Sequence, residues 1–476
     1  MARNEDTSMN EAPFWSITID DKLSSEELFK HIKGAKERLA QFQRPKPKIQ
    51  RVPYTLRDHK KFEKYYEPRA VAIGPFHHDK PRCQLAENFK LAMAEKFIED
   101  SGRQVEYLHK IIEDNINTLK DCYDEEATRY YTDEALTNLL FLDGCSTLQF
   151  IYSFVNNQLA NFMIKRDQVA FAEQDLFLLE NQLPYQVLKL LMSASAKEMD
   201  LKSAIDGFVG RNIMAEEKKG KRDEPKKCSQ QGYGVIDKEE PTHLLELLRT
   251  KMLGPKSNNS TETHLLELLW TKMLRCKCDN STEKKGQQSF RNIQELKAAG
   301  IHLRRSKTGT LRDISFTHPL GLLGFQGFLN LPPLSVDDSM GPKFLNLIAY
   351  EMCPDFQNDS GVTSYICFLD SLIDHADDVK QLRKAHILHN LLGSDEEVAK
   401  LFNKIGTDLV PNSETYHGVK DKLEKHYKNM WKTWMAQFCH DHFSSPWTIL
   451  AFLGVLAALG LSGIQTWYTV NSPSSS

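Results

Sequence analysis

An excess of charge of either sign is missing from this sequence: Lys plus Arg number 61 against 64 Asp plus Glu, for a net charge of −3 and a pI near 6.6. Nucleic-acid binding normally needs a basic surplus, so nucleic acid is not expected as a partner. A disulfide framework is missing too. The nine cysteines (Cys83, Cys122, Cys145, Cys228, Cys276, Cys278, Cys353, Cys367 and Cys439) are odd in number and scattered, several of them in apolar runs, which suits a reducing compartment. No basic segment leads into an apolar one at the amino terminus, so no secretory signal is expected. Assembled catalytic motifs are lacking as well. There is no G-x-x-x-x-G-K-[ST], no G-x-S-x-G and no H-E-x-x-H, and "GLLGFQG" has neither the lysine nor the strand-to-helix setting of a phosphate loop. These gaps leave no catalytic, metal-binding or cofactor-binding residue to assign, and no cofactor is expected.

What is present is a long chain of 476 residues with 41% hydrophobic content, enough to bury a sizeable core. The patterning predicts a mainly α protein: a helical globular domain with a few short β-strands and a C-terminal transmembrane helix. Residues 1–48 read as a polar leader with one amphipathic helix, where Ser24 and Glu27 have capping-box spacing and Leu28, Ile32, Ala35 and Leu39 share a face. The main domain spans 49–440. It opens with the short extended pieces "IQRVPYTL" and "RAVAIGPFHH", followed by helical tracts at about 85–122 and 132–160. Extended texture returns in "LRDISFTH" and "FLNLPPLSVDD". In "GSDEEVAKLFNKIG", Ser394 caps a helix, Val398, Leu401, Phe402 and Ile405 form its buried stripe, and Gly406 closes it.

Two interruptions break the main domain. Residues 211–241 are rich in charge and poor in core formers, and read as a loosely held insertion. Residues 242–262, "THLLELLRTKMLGPKSNNSTE", are then repeated at 263–283 with 16 of 21 positions identical. Two copies do not build a solenoid, so the expectation is one helical slot that either copy can fill. Cys276 and Cys278 form a lone C-x-C without placed histidines, a weak metal signal.

The carboxyl terminus carries no charge from Ser444 onward, and 446–470 is apolar enough to span a bilayer. As a helix, Trp447 to Val470 would be roughly 36 Å long against a hydrocarbon core of about 30 Å. Trp447 stands at one end and Trp467 with Tyr468 at the other, where aromatic rings are favoured at the two interfaces, and Gly454 and Ala458 fall between them. Upstream lie Lys420, Lys422, Lys425, Lys428 and Lys432, while the tail 471–476 is uncharged, which predicts a cytosolic main domain. A buried core helix is the alternative, but such helices rarely run this long without a polar face. In that topology the sequons at Asn258, Asn259, Asn280 and Asn358 are idle.

Within "FLLENQLPYQVLKLL" (177–191), Glu180, Asn181 and Gln182 stand together just before Pro184 in an otherwise apolar run. Pro184 has no amide hydrogen, and in a continuous helix it would leave the Glu180 carbonyl unpaired at a cost of about 3 kcal/mol. Asn181 and Gln182 carry amides that both donate and accept, which a break inside an apolar bundle requires. The cluster therefore reads as a joint between a helix containing Leu176 to Leu179 and a new one beginning at Pro184, with a ligand site as the alternative. "GPFHHDKPRC" offers His77, His78, Asp79 and Cys83, but adjacent histidines in an extended segment face opposite ways, so a surface turn is preferred to a metal site. The acidic groups of "LIDHADD" and "VDD" resemble helix starts.

The blocks "IQRVPYTLRD", "YEPRAVAIGPFHH", "LFLDGCSTLQF", "DLFLLENQLPYQVLKLL", "IQELKAAGIHLRRSKTGTLRDISF", "LNLPPLSVDD", "FLNLIAYEMC", "VTSYICFLDSLI" and "LLGSDEEVAKLFNKI", with the final "PW" and anchor, resemble in order the plant family catalogued as domain of unknown function 247. The leader, the duplicated segment and the lengthened "THPLGLLGFQGFLN" depart from the family pattern. The resemblance implies a land-plant protein, mostly helical, held on a membrane (often the plasma membrane) by its last helix, with no established enzymatic activity. Association of some members with self-incompatibility in grasses implies recognition or signalling. The expected function is therefore a membrane-tethered interaction protein whose partners are the lipid bilayer and an unknown protein or a second copy of itself. Enzyme is the second expectation, with His77, His78, Asp79 and Cys83 as its candidates, and passive structural adaptor the third.

Overall fold

The computed structural model describes residues 24–33, 47–57, 62–213, 240–255, 292–318, 326–356, 359–412, 414–428 and 446–471. Several expectations fall outside them: Ala35 and Leu39, nearly all of the 211–241 insertion, the second repeat copy with Cys276 and Cys278, the centre of "THPLGLLGFQGFLN", all four sequons and the tail. Helix dominates the rest, with five short strands.

Chain contacts define two units. The first draws on Met1–Ile213, Lys226–Met252 and Ser339–Val362. Its principal helices are α1 (Gln84–Ser101), α2 (Asp133–Val155), α3 (Arg166–Asp175), α4 (Tyr185–Ala194), α5 (Glu198–Asn212) and α6 (Leu244–Leu253). The centre is α2, against which α1, α4 and α5 pack. Thr132 caps it, its hydroxyl accepting from the Ala135 N–H, and Asp133 and Glu134 follow in the first turn, where the helix dipole favours acid. Leu136, Leu140, Leu148 and Ile151 are buried at helical spacing. They meet a core that includes Leu108, Ile112, Val187, Leu191 and Phe208. Phe208 stacks on Phe177 with centroids 5.5 Å apart. Each such side chain contributes about 1.5–3 kcal/mol by leaving water.

The expected extended pieces near the start of this unit are not strands. Ile49 makes one isolated parallel bridge to Tyr123, Tyr54–Arg57 is a helical turn, and the segment 68–80 is irregular.

The second unit draws on the described residues of Leu253–Asp338 and Thr363–Ser476. Here β1 (Ile301–Arg305) runs parallel to β3 (Gly327–Leu331), and β2 (Ser315–Thr317) pairs antiparallel on the other side of β3, giving the order β1-β3-β2. A separate parallel pair joins β4 (Leu334–Val336) to β5 (Leu388–Asn390). "LRDISFTH" and "FLNLPPLSVDD" thus supply β2, β3 and β4. The Ser394 hydroxyl accepts from the Glu397 N–H at 3.2 Å and starts the helix Asp395–Gly406. Gly406 does not close that helix as a left-handed cap. It is the last helical residue, followed by an extended Thr407. Asp378 fills the helix-start role, accepting from the N–H groups of Asp374 and His375 ahead of Ala376–Lys384.

The chain ends in a helix of 26 residues, Pro446–Asn471. Its apolar stretch Leu450–Trp467 has a mean hydropathy of 1.6 and is exposed along its whole length. It is long and apolar enough to cross a bilayer. Nothing lies within 4 Å of where a Gly454 side chain would stand, and Trp467 is 69% exposed. Ala458 is exposed too, while the side chains of Trp447 and Tyr468 are outside the described set.

Candidate functional site

The ten residues Asp175 to Pro184 are all buried, yet only Asp175 is helical: α3 stops there and α4 starts at Tyr185 with Pro184 as its N-cap. The break is therefore longer than the sequence suggests, and Leu176 to Leu179 belong to the loop instead of a helix. A buried loop must find partners for its backbone groups, each worth about 1–3 kcal/mol if left without one.

Side chains supply those partners. Gln182 Nε2 donates to the carbonyls of Leu176 and Leu178, each at 2.8 Å, and its Oε1 accepts from the Leu245 N–H at 3.1 Å. Asn181 Nδ2 donates to Asp175 O at 2.9 Å and Val71 O at 3.0 Å, while its Oδ1 accepts from the Ile73 N–H at 2.7 Å. The Asp175 carboxylate accepts from the N–H groups of Arg69, Ala70 and Val71 at 2.6 to 3.0 Å. Asn346, on the helix Met340–Glu351, accepts from the Leu179 N–H at 2.8 Å and donates to Tyr65 O and Pro342 O. The segment 69–74 is thereby tied to 175–182 by side chains where a sheet would use backbone. Gly74 completes the approach. Its N–H donates to Asp143 Oδ2, its φ is +71°, and a Cβ there would lie 2.7 Å from Gln182 O, so only glycine fits.

Glu180 brings charge into this loop. Its Oε1 accepts from the Val52 N–H at 2.8 Å and from Arg57, and its Oε2 lies 3.9 Å from Arg51 Nη1. Oε2 is also 3.5 Å from His77 Nε2. The sequence places His77 in a surface turn, but it is buried, 3% exposed, against Glu180. Burial, with help from Lys80, Arg57 and Arg51, lowers its pKa to about 3. Burial also pushes the Asp175 carboxyl up to about 6, against the pull of its three N–H donors.

The remaining candidates do not converge. His78 is half-buried, Asp79 exposed, and Cys83 buried with its thiol pushed up by burial. Among the described residues no three His, Cys, Asp or Glu side chains gather as a metal site. Asp143 escaped the sequence reading, as did Lys90, whose Nζ is 2.7 Å from Asp143 Oδ1, both groups being buried. Asn346 escaped as well, although a lone amide inside the apolar "FLNLIAY" is the signal that could have found it.

His77 yields a pH prediction. Its pKa is near 6.5 in an unfolded chain and about 3 when folded, so the unfolded state binds the extra proton and the histidine's contribution to stability is lost as pH falls below 6.5. Relative to the parent, His77→Gln should therefore gain about 1.4 kcal/mol for each pH unit between 6 and 4. Denaturant titrations of both proteins across that range measure the difference, and a constant offset would contradict it.

The geometry defines a helical scaffold with a buried, polar break between two helices and, among the described residues, no gathering of metal-ligating side chains. The family described as plant protein of unknown function, domain of unknown function 247, matches residues 49–461, and the chain belongs to it. Relatives include the UPF0481 protein At3g47200 of Arabidopsis thaliana, 27% identical over 432 residues, which cover 86% of this chain and 83% of that protein. A second Arabidopsis thaliana UPF0481 protein, At3g02645, is 27% identical over 188 residues, 38% of this chain and 33% of that protein. No solved structure matches the chain.

Proposed function

We propose that this plant protein is a membrane-tethered interaction component. The observation that carries the reading is the Pro446–Asn471 helix, whose apolar stretch is fully exposed and so lacks the cover a core helix would have. Burying about twenty apolar residues in lipid removes that surface from water. The lysines upstream and the uncharged tail favour a cytosolic main domain, and the plasma membrane is part of this proposal. On the same reading Glu180, Asn181 and Gln182 with Pro184 form a structural joint, and recognition lies elsewhere on the surface.

The tether is tested on sealed plant membranes. The full chain should remain in the pellet after an alkaline wash, and added protease should digest the main domain. Release by the wash contradicts the tether, and glycosylation at Asn258, Asn259, Asn280 or Asn358 contradicts the orientation. Capture from the same membranes in mild detergent should recover a protein partner or a second copy, and recovery of neither would overturn the interaction reading.

A further inference from the structure

We propose that the first unit holds a binding site for a small aromatic carboxylate, in a cavity bounded by α1, α2, α3 and the segment 69–73. The inference is independent of the membrane tether. The cavity measures about 170 Å³ and opens to solvent. Its walls are apolar, with Val71, Leu85, Phe89, Met93, Phe150 and Phe171 among them. An apolar cavity of about 150 Å³ accommodates a benzene ring, so one ring fits this one. Thr147, buried on the same wall, has no hydrogen-bond partner for its hydroxyl.

The opening selects the charge. Arg69 borders it, with its guanidinium carbon 3.7 Å from the Phe171 centroid and its backbone N–H held by Asp175. Of the other two cations in the lining, Arg82 is held by Glu67 and Lys90 by Asp143 and Glu87, whereas the Arg69 guanidinium, although its charge acts on Asp175, is in no ion pair with a carboxylate among the described residues. A guanidinium fixed flat on an aromatic ring offers its fork to a planar carboxylate, which binds it through two parallel hydrogen bonds. Asp167 also borders the opening, so an acid is drawn to the Arg69 side of the rim. A ligand with its ring against Phe89 and Phe150 and its carboxylate at Arg69 uses both features.

The test is ligand-detected NMR with benzoate as probe and benzyl alcohol as its neutral counterpart, on the full chain in lipid nanodiscs. Benzoate should bind at millimolar concentration and more tightly than the alcohol. Arg69→Gln, at an exposed position, should weaken benzoate about tenfold or more, the scale of one lost charge-assisted contact, and leave the alcohol unchanged. Ala172→Trp, which fills the cavity, should abolish both signals. Should that variant fail to fold, Arg69→Gln still decides. No benzoate binding at millimolar concentration, equal binding of acid and alcohol by the parent, or unaltered benzoate binding by Arg69→Gln would each overturn the proposal.

Discussion

Arg249→Trp is expected to destabilise the first unit by about 3 to 5 kcal/mol, the cost of breaking a buried ion pair from one side. Arg249 is 6% exposed on α6, and its Nε donates to Glu351 Oε1 at 2.7 Å. Its Nη2 donates to the carbonyl of Asp359, and its guanidinium carbon lies 4.9 Å from the Phe356 centroid. Removing the cation leaves the Glu351 carboxylate, 5% exposed, without the guanidinium that offsets its burial. Tryptophan is the informative replacement because the tandem repeat already contains it: Trp270 stands in the second copy where Arg249 stands in the first. A second difference points the same way. Gly254 has φ +71°, and a Cβ there would lie 2.6 Å from Thr310 Cγ2, whereas the second copy has Arg275.

The two copies are therefore expected not to be interchangeable, contrary to what their identity suggests. Deleting 242–262 forces Trp270 and Arg275 into positions that need arginine and glycine, and should lower stability by an amount comparable to Arg249→Trp. Deleting 263–283 keeps both residues and should leave the melting temperature near the parent's. Denaturant unfolding of the three variants checks the ordering. Equal stability of the two deletions would show that α6 tolerates either copy.

Much of the helical scaffold was legible because its signals are local. Ser394 sits within one turn of the Glu397 amide group that it serves. The break at Pro184 was legible for the same reason, since proline forbids a continuous helix wherever the rest of the chain goes. Its partners were not. Asn181 bonds Ile73 and Val71, residues 108 and 110 positions away, and Glu180 bonds Val52 at a separation of 128. Those distant side chains also explain why 69–74 misleads: Val71 and Ile73, set between Pro68 and Pro75, suggest an extended piece, but the N–H groups of 69–71, 73 and 74 are taken by carboxylate and amide oxygens, so no ladder forms. The burial of His77 was hidden likewise, because only the fold brings it to Glu180.

The joint itself carries the second large effect. Asn181 and Gln182 together bind six backbone carbonyl or N–H groups of the loop, its neighbouring segment and α6, all of them on buried residues except the half-buried Val71. Truncating either amide strands several of these at once. Asn181→Ala and Gln182→Ala should each cost about 1 to 3 kcal/mol, and because the residues are neighbours sharing one loop, the double variant need not equal their sum. The expected loss does not depend on any ligand or partner, which separates a joint from a recognition site. The deciding measurement is therefore a pair of circular dichroism melts on full-chain Asn181→Ala and Gln182→Ala, with partner capture run beside them. Lowered melting in both variants is the result predicted here, and parental melting in both, with capture abolished, is the result that would contradict it.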